Sequence, residues 1–190
     1  MGRGDERKAT MESLLKRLLY PFIALSVLGL ILSLIVHVSA LLAIPPPFGE
    51  SFLLLHIGIF IVWIPAVLVM GPLTREYKQR DLWKGALRGC PPWMKRMALF
   101  FFGYAMINFV LFIFLGRGRN AEVPSLIHRG FSGHWMAFYS AALAIMYSAV
   151  KVESLPVFRR CPNGHPLSPE AKFCEKCGMP ATDIDGLGRE

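Results

Sequence analysis

The sequence predicts an all-α membrane protein: four transmembrane helices in a bundle, followed by a small Cys/His module on the cytoplasmic side. Three observations carry this. Of 190 residues, 54% are hydrophobic and only 18% are charged, against about 25% charged in an ordinary soluble domain. The apolar residues gather in four runs, each near or above the ~20 residues that cross ~30 Å of hydrocarbon. The runs are 19–44, 51–73, 97–116 and 131–152, and none holds an acidic residue. Finally, Cys161, His165, Cys174 and Cys177 fall close together near the C-terminus at metal-ligand spacing.

Residues 1–18 form an N-terminal segment whose "RKATMESLLKRLLYPF" is expected to run into the first span as one helix. That span is much longer than the 7–15-residue apolar core of a signal peptide, so it is expected to stay as an anchor. Orientation follows from Lys and Arg in the connections. The N-terminal segment holds five, the middle connection seven and the C-terminal side six; the first connection holds none, and the third holds Arg117, Arg119 and Arg129. Four spans therefore place 18 positive residues on one side and 3 on the other. Both tails are expected in the cytoplasm. The net charge of +8 is accounted for by topology and contact with the lipid bilayer, so no nucleic-acid partner is expected.

The spans carry their own packing signals. Span one has a stripe of small and polar residues at Ser26, Gly29, Ser33, His37 and Ala40, and span four repeats it at Gly133, Ala137, Ala141, Ala144 and Ser148. Small residues are where membrane helices approach one another, so His37, and His134 bordering the second stripe, are expected to face the bundle interior. His56 in span two shares a face with Phe60 and Trp63, which suit lipid equally well. At 1.5 Å per residue, His37, His56 and His134 all lie roughly 9–10 Å outward of the midplane. Histidines from three helices at one depth are the arrangement by which a bundle holds haem or a metal. Their layout resembles that of the four-helix b-type cytochromes of bacterial inner membranes, with no extended motif shared. The alternative is a histidine layer satisfied by serines, carbonyls and interfacial water. Pro65 is expected to loosen span two, and Asn108 to hydrogen-bond between helices.

Outside the spans, the basic middle connection predicts a short interfacial helix with Leu82, Trp83 and Leu87 on one face. Cys90 reads as an unpaired thiol at the cytoplasmic edge. The stretch "HRGFSGHW" before span four reads as a loop, either a plain return to the membrane or a fold over the outer mouth of the bundle.

After a linker at 153–160, Cys161-x3-His165-x8-Cys174-x2-Cys177 offers two chelating pairs, a Cys3His set suited to tetrahedral zinc. Gly164 and Gly178 stand where tight knuckles need permissive backbone. With four protein ligands no coordination position is left open for catalysis, so the zinc is expected to be structural. On its "CPNGH" and "FCEKCG" halves, segment 161–178 resembles the short zinc ribbon found at the ends of many bacterial proteins. It departs from the commoner pattern in having His165, with three intervening residues, in place of Cys with two. The resemblance implies protein–protein contact or, less often, nucleic-acid contact without choosing between them; on a chain placed in a bacterial inner membrane, the ribbon is expected to be presented to a cytosolic protein partner. Residues 179–190 show no packing pattern and are expected to be a disordered tail. No nucleophile triad, phosphate loop or carboxylate pair occurs, so no enzymatic activity is expected.

Overall fold

The computed structural model describes residues 3–45, 49–75, 77, 79–116, 124–152, 161–163, 165, 167 and 171–180. The chain divides into two compact units, Met1–Val152 and Glu153–Glu190. The first is helical throughout its regular structure: α1 (Arg3–Leu41), α2 (Leu54–Thr74), α3 (Leu82–Ala86), α4 (Pro92–Gly116) and α5 (Pro124–Lys151). The N-terminal segment does run into the first apolar run as one helix. α1 then ends where Ala43 takes a positive φ of 54° and Ile44 N–H donates to the Ser39 carbonyl at 2.9 Å.

Among the described residues three helices, not the four predicted, are both long and apolar enough to cross a membrane: Arg17–Leu41, Leu54–Thr74 and Pro92–Phe114. Their outward faces are lined by exposed Leu, Ile, Val and Phe, including Leu28, Ile31, Ile57, Leu68, Phe100 and Ile107. Apolar surface on that scale fits contact with lipid and not with water. α5 is as long as the others but less apolar. The reason lies in its place. It packs against α1, α2 and α4 at once, and Ser132, Trp135, Met136, Tyr139, Ser140, Ala142, Ala144, Ile145, Met146 and Ser148 are all at most 1% exposed. A helix sheathed by protein is selected for close packing and hydrogen bonding, and needs little lipid-facing apolar bulk.

Tyr139 is the wedge that sets the spacing. A Cβ on Gly29 of α1 would lie 2.2 Å from its ring, and one on Gly58 of α2 would lie 2.2 Å from its hydroxyl. The hydroxyl donates to the Leu55 carbonyl at 2.7 Å. On the α4 side, Gly130 and Gly133 receive Phe112 and Asn108 in the same way. The stretch "HRGFSGHW" is accordingly helical and not a loop, because its glycines are packing positions for α4. The small-residue stripe of α1 faces inward as predicted, with Ser26, Ser33, His37 and Ala40 buried. Ser26 and Ser33 satisfy their hydroxyls on the carbonyls of Phe22 and Gly29. In an apolar interior an unpaired hydroxyl would cost about 1–3 kcal/mol. α2 stays helical across Pro65 and Pro72.

The elbow between α2 and α4 contains a short 3-10 turn (Gln79–Asp81) and α3. The predicted common face of Leu82, Trp83 and Leu87 does not form. Leu87 is buried with Gly85 and Ala86, while Trp83 stays exposed, because the elbow is pinned to α5. Gly89 N–H donates to Ser148 Oγ at 2.9 Å, and the Cys90 thiol donates to the Ala144 carbonyl at 3.0 Å. Burial pushes the Cys90 thiol up to about 11, so the nucleophilic thiolate is scarce at neutral pH. In folded protein Cys90 should resist maleimide at pH 7.5 and label only after denaturation. Rapid labelling in the folded state, read by mass spectrometry, would contradict this seat.

In the second unit, the described residues form two small loops. Cys161 N–H donates to the His165 carbonyl at 2.9 Å, and Cys174 N–H to the Met179 carbonyl at 2.7 Å. Phe173 and Pro180 form an antiparallel bridge. The pairing therefore reaches Met179 and Pro180, two residues past the predicted 161–178 boundary. The rest of the predicted tail and the linker lie outside the described residues, as does Gly164.

Candidate functional site

Both loops of the second unit deliver ligand atoms to one point. The first closes Cys161 onto His165. The second turns back at Gly178, whose φ of 70° suits a residue without a Cβ, and whose N–H donates to the Cys174 carbonyl at 2.8 Å. The ligand atoms of Cys161, His165, Cys174 and Cys177 all lie within 4.8 Å of one another. Cys161 Sγ is 3.5 Å from His165 Nδ1 and 3.7 Å from Cys177 Sγ, and Cys174 Sγ is 3.7 Å from His165 Nδ1.

Those separations test the fit of a metal. A tetrahedron with Zn–S near 2.3 Å and Zn–N near 2.1 Å has edges of about 3.8 Å between sulfurs and about 3.6 Å between sulfur and nitrogen. The spacing fits zinc, with His165 presenting Nδ1. Charge agrees. Burial disfavours a Cys174 thiolate, but the backbone N–H groups of Lys176 and Cys177, with help from the Cys177 and Cys161 side chains, outweigh it and bring the thiol down to about 6. Among the described residues, Leu167 with Cys161 and Cys174 forms a small buried core, edged by Ala171 and Cys177. Burying one leucine stabilises by about 2 kcal/mol, too little to order such a segment without metal.

The histidines of the first unit are arranged otherwise than the haem reading requires. His37 is buried between α4 and α5. Ser132 Oγ–H donates to the His128 carbonyl at 2.6 Å, so Ser132 must accept from His37 Nδ1–H, 2.8 Å away. His37 Nε2 then accepts from the Tyr104 hydroxyl. Both ring nitrogens are thus engaged in one chain of hydrogen bonds from α4 through α1 to α5. His56 Nδ1 accepts from Trp135 Nε1–H at 3.1 Å, which leaves the proton of the neutral ring on Nε2. His134 is exposed, contrary to its predicted inward position. Its helix is turned so that Ser132 and Trp135 take the interior, and its ring lies 4.5 Å from Phe138 and 6.2 Å from His56. A bis-histidine haem needs two lone-pair nitrogens facing each other about 4 Å apart. His37 and His56 have spent theirs on hydrogen bonds, so the three histidines do not fit that cofactor. His37 and His56 instead form a polar layer joining helices.

Asn108 belongs to the same layer. As predicted, it hydrogen-bonds between helices: Nδ2 donates to the Arg129 carbonyl at 2.8 Å, and Oδ1 accepts from Arg129 Nε at 3.0 Å. Arg129, Tyr104 and Ser132 were missed as partners. A signal existed, since stepping back four residues from the Gly133 stripe reaches Arg129, and four back from Asn108 reaches Tyr104. Comparison of the chain with family models, curated proteins and solved structures returns no match.

Proposed function

We propose that this chain is a four-span protein of the bacterial inner membrane that carries a structural zinc ribbon at its cytoplasmic C-terminus and presents it to a cytosolic protein. The observation that carries the reading is the tetrahedral spacing of four ligand atoms on a chain whose other unit has lipid-type surfaces. α5 serves as the fourth span. It is 28 residues long, about 42 Å at helical rise, and it runs antiparallel to α4, as the pairs Gly130–Phe112 and Gly133–Asn108 require. Four spans then return both tails to the side rich in Lys and Arg. With four protein ligands the zinc has no open position, so it supports a surface and performs no reaction.

Two features of that surface favour protein as the partner. Phe173 is 63% exposed and Met179 is 40% exposed, one on either side of the second knuckle. Exposed aromatic and Met side chains on a small rigid module suit a protein contact. A photocrosslinking residue placed at Met179 in cells should capture a cytosolic protein, and Cys177→Ser should abolish the adduct. A reporter fused to the C-terminus should be active only in the cytosol. Activity of an exported reporter at that end would overturn the orientation. Adducts to RNA alone would overturn the partner class.

A further inference from the structure

The polar layer contains a cation without a described counter-charge. Arg129 sits on α5 facing α4, and its Nε is held 3.0 Å from Asn108 Oδ1. Asn108 lies six residues before Phe114, where the apolar span of α4 ends, or about 9 Å inside that end at helical rise. The guanidinium stem is therefore rooted within the apolar thickness. Asp81, the acidic residue of this unit whose side chain is described, belongs to the elbow before α4 and pairs with Arg80 and Lys84. A guanidinium at such depth is costly unless an anion or water meets it.

The geometry also fixes which part of the guanidinium is on offer. Asn108 is locked twice to Arg129, through its oxygen and its nitrogen, and is seated on Gly133, where a Cβ would lie 2.6 Å from its Nδ2. With Nε committed, the edge of the fork formed by the two Nη groups is the one that can meet two oxygens of a ligand. Helical side chains lean toward the helix N-terminus, and the N-terminus of α5 lies beside the C-terminus of α4. An arginine rooted there can reach the membrane surface at that end. His37 and Tyr104 beneath it are committed to each other.

We propose that Arg129, aimed by Asn108, binds the phosphate of an outer-leaflet phospholipid. Two parallel N–H donors match two phosphate oxygens, and the phosphodiester layer lies within reach of an arginine rooted one to two turns below it. The inference rests on the membrane placement proposed above, but not on zinc or the cytosolic partner. It also makes Asn108 a positioning residue, and the lock makes a specific demand. Lysine at position 129 would keep charge but lose the fork.

The test uses full-length protein purified in detergent, with bound lipid read by native mass spectrometry and unfolding followed by intrinsic fluorescence. Dioleoylphosphatidylglycerol should bind and raise Tm by several degrees, while dioleoylglycerol should do neither. Arg129→Gln should weaken phospholipid binding by roughly 10- to 100-fold, the loss of a charge-assisted pair. Arg129→Lys should retain part of it and guards against a folding defect in the Gln variant. Equal binding by Arg129→Gln, or an equal shift with dioleoylglycerol, overturns the site. An equal shift with inorganic phosphate overturns the lipid as its source. Protein that purifies without detergent would overturn the membrane reading itself, separately from the site.

Discussion

Cys174→Ser or Cys177→Ser should strip the metal from the protein while leaving the helical unit folded. Each removes one of four ligand atoms that lie within 4.8 Å of one another, and three ligands hold zinc far less tightly than four. Structural zinc contributes on the order of 10 kcal/mol to small modules, whereas among the described residues the buried apolar side chain beside the cysteines is Leu167. Wild-type protein should carry about one zinc per chain by emission spectrometry, and the variants close to none. Hydrogen exchange should rise across 161–180 and stay unchanged in α1 to α5, whose backbone hydrogen bonds close within each helix. Acid should act in the same direction. Cys174 has a depressed pKa of about 6, so its thiolate is lost as pH falls through that value, and protonating a ligand thiolate releases the metal. Bound metal shifts the loss lower still. Full zinc in either variant would move the site elsewhere.

The candidate ligand cluster was legible because coordination chemistry writes itself into spacing. Two pairs of ligands, each a few residues apart, can meet in few ways. The closing backbone contacts of Phe173, Cys174, Met179 and Pro180 were not legible, since main-chain pairing leaves no mark on residue type at this length. In the helical unit, the inward stripe of α1 was readable because Ser26, Gly29, Ser33 and His37 differ so clearly from the Leu and Ile around them. α5 was harder for the converse reason. Most of its surface meets protein, so Ser, Gly and Tyr stand where a lipid-facing helix would carry Leu and Ile, and its apolar signal is weaker although it is the centre of the bundle.

The histidines show the same limit more sharply. Depth along a helix follows from counting, and the shared level expected of His56 and His134 agrees with rings 6.2 Å apart. Rotation about the axis decides which atoms meet. A turn of about 100° per residue separates His134 from Trp135, and the interior took Trp135 with its Nε1–H on His56. Polar partners then decided chemistry. Ser132, one of the plainest residues in the sequence, fixes the tautomer of His37 and so removes it as a ligand.

Gly29→Ala should be among the most damaging single-methyl changes in the bundle. The new Cβ would stand 2.2, 2.4 and 2.6 Å from three ring carbons of Tyr139, far inside van der Waals contact. A flexible neighbour would move aside, but this ring is held at its far end. Its hydroxyl is 2.7 Å from the Leu55 carbonyl and abuts Gly58, where a Cβ would come within 2.2 Å of that oxygen. Relief therefore requires α1 to back away from α5, loosening the interface that buries Ser26, Ser33 and His37. Overpacking of this kind costs about 3 kcal/mol. Gly103→Ala in α4 is the control, since a Cβ there meets nothing within 4 Å; it should be neutral or stabilise by up to about 1 kcal/mol through helix propensity. Tyr139→Phe should cost only about 1 kcal/mol, the net worth of one hydrogen bond, and should not rescue Gly29→Ala because the ring stays. Tyr139→Leu should rescue it in part, so that the double variant is more stable than the two single losses sum to. Thermal unfolding in one detergent reads all of these. If Gly29→Ala proves as mild as Gly103→Ala, the Tyr139 wedge does not set the spacing of α1, α2 and α5.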